Sequence, residues 1–204
     1  MECSAIILSG GFSKRLGRDK GLVELMGKPI IRHVIDKVAP FVQETLIVVS
    51  NKEQSERYSK LFDNSARIVK DELDQRSPLI GALTGFHNAT NEYALLLSCD
   101  TPLISRNLLS LLIDLSLGRD AVVPRWPNRQ IEPLQAIYAT KKAYNAAVEA
   151  FKEGNLNLRA MISRLKNVLY LSTIVIAVID PKLYTFHNVN DPDSLREAER
   201  ILRS

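Results

Sequence analysis

A pair of glycines followed by basic residues is the first part of this sequence that is suited to chemistry. Gly10 and Gly11 follow an apolar run, and Arg15 and Lys20 come later in the same segment, residues 9–21, which we call the glycine loop. Glycines let the backbone approach a ligand and direct its N–H groups at anionic oxygens. The planar fork of an arginine and the compact charge of a lysine suit a triphosphate. The alternative is a basic surface turn, but the position after a first apolar strand favours phosphate binding.

A carboxylate, Asp100, stands just after the apolar run Tyr93–Leu97. Mg²⁺ prefers one or two carboxylates together with phosphate oxygens of a substrate. On its own, Asp100 would be interpreted as the cap of a turn before Pro102. Together with a phosphate-binding loop at the same edge of a sheet, it is predicted to bind Mg²⁺.

Other polar residues follow apolar runs at corresponding positions. Asp71 stands after Arg67–Val69 and could accept hydrogen bonds from a ribose or a base, although turn initiation is an equally good interpretation. Ser50 and Asn51 stand after Thr45–Val49, and the same two interpretations apply to them.

Two asparagines near the C-terminus, Asn188 and Asn190, are separated by one residue. In an extended segment their side chains would point to the same face, where they could bind a polar ligand or complete the shell of a metal. The alternative is loop and cap chemistry, which Asn and Asp commonly supply, and the residues alone favour that alternative. Asp191-Pro192 supplies an N-cap and a first-turn proline for a final helix.

These residues need a framework that brings the ends of several apolar runs together. Short β-branched runs alternate with helical patterns, which predicts βαβ units and a parallel sheet with helices on both faces. Ligands of such sheets bind at the carboxyl ends of the strands. The predicted strands are Ala5–Leu8, Thr45–Val49, Arg67–Val69, Tyr93–Leu97 and Ala121–Val123. The predicted helices are Pro29–Val38, Leu79–Ala89 and Leu108–Leu117.

The pattern is less regular beyond Arg125. We predict a strand over Ile131–Tyr138 that Pro133 interrupts. The predicted helices of this part are Lys141–Lys152, Leu158–Leu165 and a last one that runs through Ser204. The apolar run Ile174–Ile179 is interpreted as a strand or as a contact with another protein, and it is far too short to cross a membrane.

The composition of the 204 residues limits the class of protein. Length and apolar content suit one soluble domain over residues 1–204. The N-terminus has no basic segment and no long apolar segment, so we expect no signal peptide and a cytoplasmic protein. Cys3 and Cys99 are then expected to be reduced thiols. The net charge of +4 is mild and aromatic residues are scarce, so nucleic acid is not an expected ligand.

Taken together, these segments resemble the MobA-like nucleotidyltransferases. The resemblance covers nearly the whole chain, and the glycine loop and the segment around Asp100 are its most specific parts. Two later segments, Pro133–Tyr138 and Asn188–Asn190, are similar to the guanylyltransferase branch of this family. The first matching segment is Leu8-Ser9-Gly10-Gly11 with Arg15, Gly17, Asp19-Lys20 and Gly27-Lys28-Pro29. The later ones are Asp71, Ser77-Pro78-Leu79-Ile80-Gly81, Cys99-Asp100-Thr101-Pro102, Glu132-Pro133-Leu134-Gln135-Ala136-Ile137-Tyr138 and Asn188-Val189-Asn190.

The resemblance implies a Rossmann-like three-layer α/β/α nucleotidyltransferase fold with a mostly parallel central sheet. It also implies transfer of GMP from GTP to the terminal phosphate of molybdenum-bound molybdopterin, with Mg²⁺ as cofactor and release of pyrophosphate. The nucleotide-binding residues that it predicts are Leu8, Ser9, Gly10, Gly11, Lys20, Ser50, Asn51, Asp71, Gly81 and Asp100. The predicted catalytic residues are Arg15, Lys20 and Asp100, and Asp100 also binds the metal. Asn188 and Asn190 are predicted to bind the acceptor.

Other activities stay open at this point. Ser50 stands where the family has a base-contacting asparagine, and Ser9 stands where most members have alanine. One alternative is transfer of CMP to the same cofactor, or of a nucleotide to another small phosphate such as a sugar phosphate. Another is a module that binds GTP without turnover, against which Lys20 and Asp100 argue. We expect a monomer, with molybdoenzymes or their chaperones as further partners.

Overall fold

The computed structural model describes residues 2–9, 12–13, 18–62, 65–71, 73 and 75–203, without the side chains of residues 12, 13 and 18. Three predicted site residues, Gly10, Gly11 and Arg15, lie outside the described residues. Their predicted contacts with phosphate therefore stay predictions.

A seven-stranded sheet in the order β11-β9-β10-β8-β1-β6-β7 forms the centre of the fold. Within it, β10 is antiparallel to β8 and β9, and all other neighbouring pairs are parallel. Two short hairpins, β2 with β3 and β4 with β5, lie outside this sheet. The strands are β1 Cys3–Leu8, β2 Phe12–Ser13, β3 Arg18–Asp19, β4 Glu24–Leu25, β5 Lys28–Pro29, β6 Glu44–Val49, β7 Arg67–Lys70, β8 Tyr93–Ser98, β9 Ala121–Arg125, β10 Gln135–Ala139 and β11 Val168–Ser172.

Helices cover both faces of the sheet. Most of the buried apolar side chains of α1, α2, α4 and α7 belong to one apolar cluster, and most of those of α3, α5 and α6 belong to another. This arrangement confirms the expected three-layer α/β/α architecture. The helices are α1 Ile30–Val38, α2 Lys52–Phe62, α3 Pro78–Asn88, α4 Arg106–Ser116, α5 Thr140–Lys152, α6 Leu158–Ile162, α7 Thr173–Ile179 and α8 Pro192–Arg203. Shorter 3₁₀ helices span Lys20–Leu22, Ala39–Phe41 and Tyr184–Phe186.

The central strand β1 explains why the sheet carries a layer on each side. Ala5 and Ile7 pack into the first cluster, and Ile6, which points the opposite way, packs into the second. A strand buried on both faces is a continuous apolar run. Helix α3 lies very close to it, since a Cβ at Gly85 would be 2.3 Å from Cγ2 of Ile6. Glycine at this position therefore lets α3 pack directly on β1.

Two predicted elements differ from the structure. The strand predicted over Ile131–Tyr138 begins only at Gln135, because Pro133 cannot donate a ladder hydrogen bond. The strand interpretation of Ile174–Ile179 is wrong, because these residues lie in helix α7. Its β-branched residues favour a strand, but Ser172 caps the helix by accepting a hydrogen bond from the N–H of Ile174. The interpretation as a contact with another protein stays a prediction.

The two cysteines are free and buried. Cys3 begins β1, whereas Cys99 follows the end of the neighbouring strand β8. They lie at opposite ends of these two neighbouring strands, too far apart for a disulfide, which confirms the prediction of unpaired thiols. Among the described residues, no helix has both the length and the apolar character that crossing a membrane would require.

Candidate active site

The residues that follow the parallel strands meet at one edge of the sheet. Backbone hydrogen bonds continue the ladder past the strand ends: Ser9 donates to Val48, and Cys99 donates to Leu8. The N–H of Asp71 likewise donates to the carbonyl of Val49 at 2.9 Å. The structure thus confirms that the predicted polar residues share the edge at which such sheets bind ligands.

A cleft of about 300 Å³ opens at this edge. Its volume is at the lower end of the range of ordinary small-molecule sites. The predicted site residues that line it are Leu8, Lys20, Ser50, Asp71, Gly81 and Asp100. The lining residues that the sequence analysis did not assign to the site are Val48, Arg76, Ser77, Pro78, Ser98, Cys99 and Leu134. Most of these flank the predicted residues in sequence, whereas Leu134 comes from the segment before the antiparallel strand β10.

Lys20 and Asp100 form an ion pair at the cleft. Nζ of Lys20 lies 3.1 Å from Oδ2 of Asp100, and both side chains are largely buried, with 25% and 12% of their surface exposed. The other carboxylate oxygen, Oδ1, accepts a hydrogen bond from Oγ of Ser98 at 2.6 Å. The carboxylate is therefore fixed on both sides, with one oxygen on a hydroxyl and the other on a cation.

Asn190 completes this cluster from the far end of the chain. Its Oδ1 accepts a hydrogen bond from Nζ of Lys20 at 2.5 Å. The segment is anchored beside it, because Val189 is buried and its N–H donates to the carbonyl of Asp100 at 2.8 Å. Asn188, on the other side of Val189, is exposed. Of the two predicted acceptor residues, the structure thus brings Asn190 into contact with Lys20.

The end of this segment has the capping role that the sequence indicates. Oδ1 of Asp191 accepts a hydrogen bond from the N–H of Ser194 at 2.9 Å, in the first turn of helix α8. Oγ of Ser194 accepts hydrogen bonds from the N–H groups of Asn190 and Asp191. These bonds hold the backbone of Asn190 in place.

Asp71 has a carboxylate oxygen with no hydrogen-bond partner among the described residues. Its Oδ1 is buried and has no hydrogen bond within the part of the chain that the structure describes. Burial raises the pKa of Asp71 above its ordinary value, and a side-chain hydrogen bond with Thr84 opposes that effect. A buried acceptor without a donor costs free energy. A ligand that donates a hydrogen bond from the cleft would remove this cost.

Two predicted nucleotide-binding residues take other contacts and do not line the cleft. Ser9 is 1% exposed, and its Oγ lies 2.6 Å from the hydroxyl of Tyr58. Asn51 accepts a hydrogen bond from the N–H of Gln54 at 2.8 Å through its side chain, as a cap of helix α2. Their predicted contacts with a nucleotide stay predictions.

The donor set suits a metal that a substrate helps to bind. Carboxylate and amide oxygens of Asp100 and Asn190 are hard ligands of the kind that Mg²⁺ prefers, and substrate phosphates commonly supply the rest of its shell. No group of three or more His, Cys, Asp or Glu side chains that could hold a metal ion occurs among the described residues. Two of the three histidines are engaged elsewhere: a ring nitrogen of His33 bonds the carbonyl of Leu25, and one of His187 bonds that of Ser194.

Known proteins are similar to this chain in sequence and in fold. The sequence profile of the MobA-like NTP transferase domain matches residues 5–168. The molybdenum cofactor guanylyltransferase of Pseudomonas paraeruginosa is 36% identical over 204 residues, covering 98% of this chain and 96% of that protein. The probable molybdenum cofactor guanylyltransferase of Methanosarcina mazei is 30% identical over 197 residues, covering 94% of this chain and 88% of that protein.

A solved structure agrees with these sequence matches. The crystal structure of molybdopterin-guanine dinucleotide biosynthesis protein A from Archaeoglobus fulgidus has a TM-score of 0.83 at 28% identity, and the superposition covers 98% of each chain. The matched residues of this chain include the glycine loop, Asp71 and Asp100. The nucleotidyltransferase fold predicted from the sequence is thereby confirmed. This chain belongs to the MobA-like NTP transferase family and is a nucleotidyltransferase.

Proposed function

We propose that this protein transfers GMP from GTP to the terminal phosphate of molybdenum-bound molybdopterin and releases pyrophosphate. The observation that carries the proposal is the hydrogen-bonded cluster of Lys20, Asp100 and Asn190 at a cleft on the carboxyl edge of the sheet. Support also comes from relatives named molybdenum cofactor guanylyltransferase, one of which is 36% identical over nearly the full length of both chains.

The apolar part of the cleft suits a nucleotide base. Leu8, Val48 and Leu134 supply apolar surface, and Asp71 lies in the same lining. The Watson–Crick edge of guanine carries two neighbouring donors, N1–H and the 2-amino group. The carboxylate of Asp71, whose Oδ1 has no partner among the described residues, could accept hydrogen bonds from these two donors. Adenine, cytosine and uracil each present one donor group on that edge, so a carboxylate that accepts from both donors would favour guanine.

The triphosphate would lie toward Lys20 and Asp100. Lys20 would contact its oxygens, and Asp100 with Asn190 would hold Mg²⁺, which neutralises phosphate charge when it is bound. The amides of the glycine loop, with Arg15, would bind the remaining oxygens. Since Lys20 is paired with Asp100, its ammonium must turn from the carboxylate to the phosphates when the nucleotide binds.

The acceptor would approach along Asn188 and Asn190. An oxygen of its terminal phosphate forms a bond to the α-phosphorus of GTP, and the bond from that phosphorus to the bridging oxygen breaks, so that pyrophosphate leaves. A phosphate monoester is largely ionised at neutral pH. The reaction therefore requires no general base, and the chain contributes alignment and electrostatic stabilisation.

A nucleotide panel tests the proposal. The protein is incubated with Mg²⁺, molybdenum-loaded molybdopterin and GTP, CTP, ATP or UTP in turn, and released pyrophosphate is measured. We expect release with GTP that depends on the acceptor. Preference for CTP would replace GMP by CMP as the transferred group, and binding of GTP without pyrophosphate release would indicate a module that does not turn over.

A further inference from the structure

One helix contacts both ends of the glycine loop. The amide nitrogen of Gln54, on α2, donates to the carbonyl oxygen of Ser9 at 2.6 Å, where the loop begins. The same nitrogen donates to Oδ2 of Asp19, also at 2.6 Å, where the loop returns. A single buried side chain thus spans the two ends of a segment that is predicted to bind phosphate.

Tyr58, one turn further along α2, makes a second connection between the same two residues. Its hydroxyl lies 2.8 Å from Oδ1 of Asp19 and 2.6 Å from Oγ of Ser9. A carboxylate can only accept, so Tyr58 donates to Asp19 and Ser9 donates to Tyr58. Tyr58 is completely buried, and burial raises its pKa above the ordinary value, so the hydroxyl keeps the proton that it donates.

Asp19 passes this constraint to Lys20. Its Oδ1 also accepts a hydrogen bond from the N–H of Gly21 at 3.1 Å, which caps the 3₁₀ helix Lys20–Leu22. Hydrogen bonds to an ionised acceptor are stronger than neutral ones. The space is filled, because a Cβ at Gly21 would lie 2.3 Å from the hydroxyl of Tyr58. The backbone on both sides of Lys20 is thereby held against α2.

The oxygen of the Gln54 amide contacts the end of strand β6. Its Oε1 accepts a hydrogen bond from the N–H of Ser50, a residue of the cleft at the end of β6, at 2.9 Å. Gln54 therefore contacts the ends of β1 and β6 and the returning end of the loop. Neither Gln54 nor Tyr58 lines the cleft, so any effect on a nucleotide must pass through the residues that they hold.

We propose that Gln54 and Tyr58 are positioning residues, which hold Ser9 and Asp19 at the two ends of the glycine loop so that Lys20 meets the triphosphate. This inference rests on the proposed function, because it needs a nucleoside triphosphate at the cleft. The competing explanation is that both side chains only stabilise the fold. The two explanations differ in whether nucleotide binding depends on these side chains beyond the loss of stability.

Two variants remove the hydrogen bonds and keep the volume. Gln54→Met keeps the length of the side chain, and Tyr58→Phe keeps the ring. Loss of a hydrogen bond changes an equilibrium by up to about tenfold, so we expect the dissociation constant of MgGTP, measured without acceptor, to rise about three- to tenfold in each variant. The turnover number should fall with it, because Lys20 is misplaced in the bound state as well.

Two control variants separate position from stability. Glu56→Gln lies on the exposed side of α2, where Glu56 pairs with Lys52 at 3.8 Å, and should leave both the melting temperature and GTP binding unchanged. Ile162→Val removes one methyl group from the buried side of α6, in the layer opposite α2. It should lower the melting temperature and leave the affinity for GTP unchanged. A loss of GTP affinity in Ile162→Val equal to that in Tyr58→Phe would overturn the positioning role.

A double-variant cycle with Lys20→Ala gives the decisive measurement. If Tyr58 acts through Lys20, its loss should change GTP affinity less in the Lys20→Ala protein than in the wild type. Equal factors in both backgrounds, or wild-type affinity in both Gln54→Met and Tyr58→Phe, would overturn the inference while the proposed function stood. A wild-type protein that binds GTP without transferring GMP would overturn the proposed function alone, and the affinity comparison would still decide the inference. A wild-type protein that binds no nucleoside triphosphate would overturn both.

Discussion

The ammonium group of Lys20 lies 3.1 Å from a carboxylate oxygen of Asp100, which is 80 residues later in the chain. Each group therefore neutralises the charge of the other. We propose a metal as the ligand of Asp100 and a triphosphate as the ligand of Lys20. Each ligand must therefore compete with the ion pair for its residue. Binding of one partner releases the residue that the other partner needs.

Removal of the lysine should consequently have opposite effects on the two ligands. In Lys20→Ala, the carboxylate of Asp100 loses its cation, so Mg²⁺ alone should bind more tightly than to the wild type. MgGTP should bind more weakly and turn over more slowly, because its phosphates lose a charged contact. Calorimetric titration with each ligand separates the two effects. Lys152→Ala removes an exposed lysine at the end of α5 and serves as the control. Weaker binding of Mg²⁺ alone to Lys20→Ala would show that Lys20 does not compete with Mg²⁺ for Asp100.

Loss of the carboxylate should affect turnover more than folding. Asp100→Ala removes the proposed metal ligand and should lower the rate of transfer by a factor of about a hundred or more, since a bound metal contributes several kcal/mol to the stabilisation of charge. Lys20 keeps its hydrogen bond to Asn190, so the melting temperature should change little. Asp114→Asn, at an exposed position of α4, is the matched control. Near wild-type activity of folded Asp100→Ala would show that the metal assignment is wrong.

Guanine preference should depend on Asp71. In Asp71→Asn the side chain loses the charge that would accept a hydrogen bond from guanine, and a charge-assisted bond of this kind is worth about 1.5–3 kcal/mol. We expect the affinity for GTP to fall by about ten- to a hundredfold, whereas binding of ATP changes little. Thermal shift with all four nucleotides measures this difference. An equal loss for every nucleotide would assign Asp71 to the ribose or to the fold.

The two asparagines should separate into different roles. Asn188 is exposed, so Asn188→Ala should leave GTP affinity unchanged and weaken the acceptor by up to about tenfold. Asn190 bonds Lys20, so Asn190→Ala should affect both substrates. The Michaelis constants for GTP and for the acceptor, measured for each single variant, test this. If Asn188→Ala has wild-type kinetics and stability, the acceptor role of Asn188 is wrong.

Stability in acid should depend on Asp120, at the start of β9. One of its oxygens accepts a hydrogen bond from Lys142 at 2.5 Å, and the other accepts the N–H groups of Lys166 and Asn167. The bond from Lys142 is the main reason why the pKa of Asp120 lies below its ordinary value. A carboxyl whose pKa is lower in the folded state stabilises it fully above the unfolded pKa, and this contribution is lost as the pH falls through the folded pKa.

Asp120→Asn should therefore lower the free energy of unfolding by about 1–3 kcal/mol at neutral pH. The difference from the wild type should shrink as the pH falls below about 3.9, the ordinary pKa of an aspartate. Urea denaturation at neutral pH and near pH 3 measures both quantities. A difference that stays constant or grows in acid would show that the charge of Asp120 does not stabilise the fold.

The sequence by itself determined the framework and much of the site. Continuous apolar runs such as Ala5–Leu8 and Tyr93–Leu97 are recognisable as doubly buried strands because burial on both faces excludes polar residues. In a parallel sheet the residues after such strands share one edge, so Asp71 and Asp100 could be placed together from local information alone.

Only the tertiary structure decided which distant residues meet and which local preferences give way. Asn190 bonds Lys20 across 170 residues, a contact that no local pattern contains. Helix α2 was not predicted because its segment is mostly polar. Its buried residues, Gln54, Tyr58 and Phe62, have the helical spacing of four, but Gln54 is itself polar. Gln54 can be buried because Ser9 and Asp19, at the ends of the glycine loop, accept its hydrogen bonds. Helix α7 forms where a strand was predicted. Its β-branched residues by themselves favour the extended form, but the helix buries Ile176 in the core.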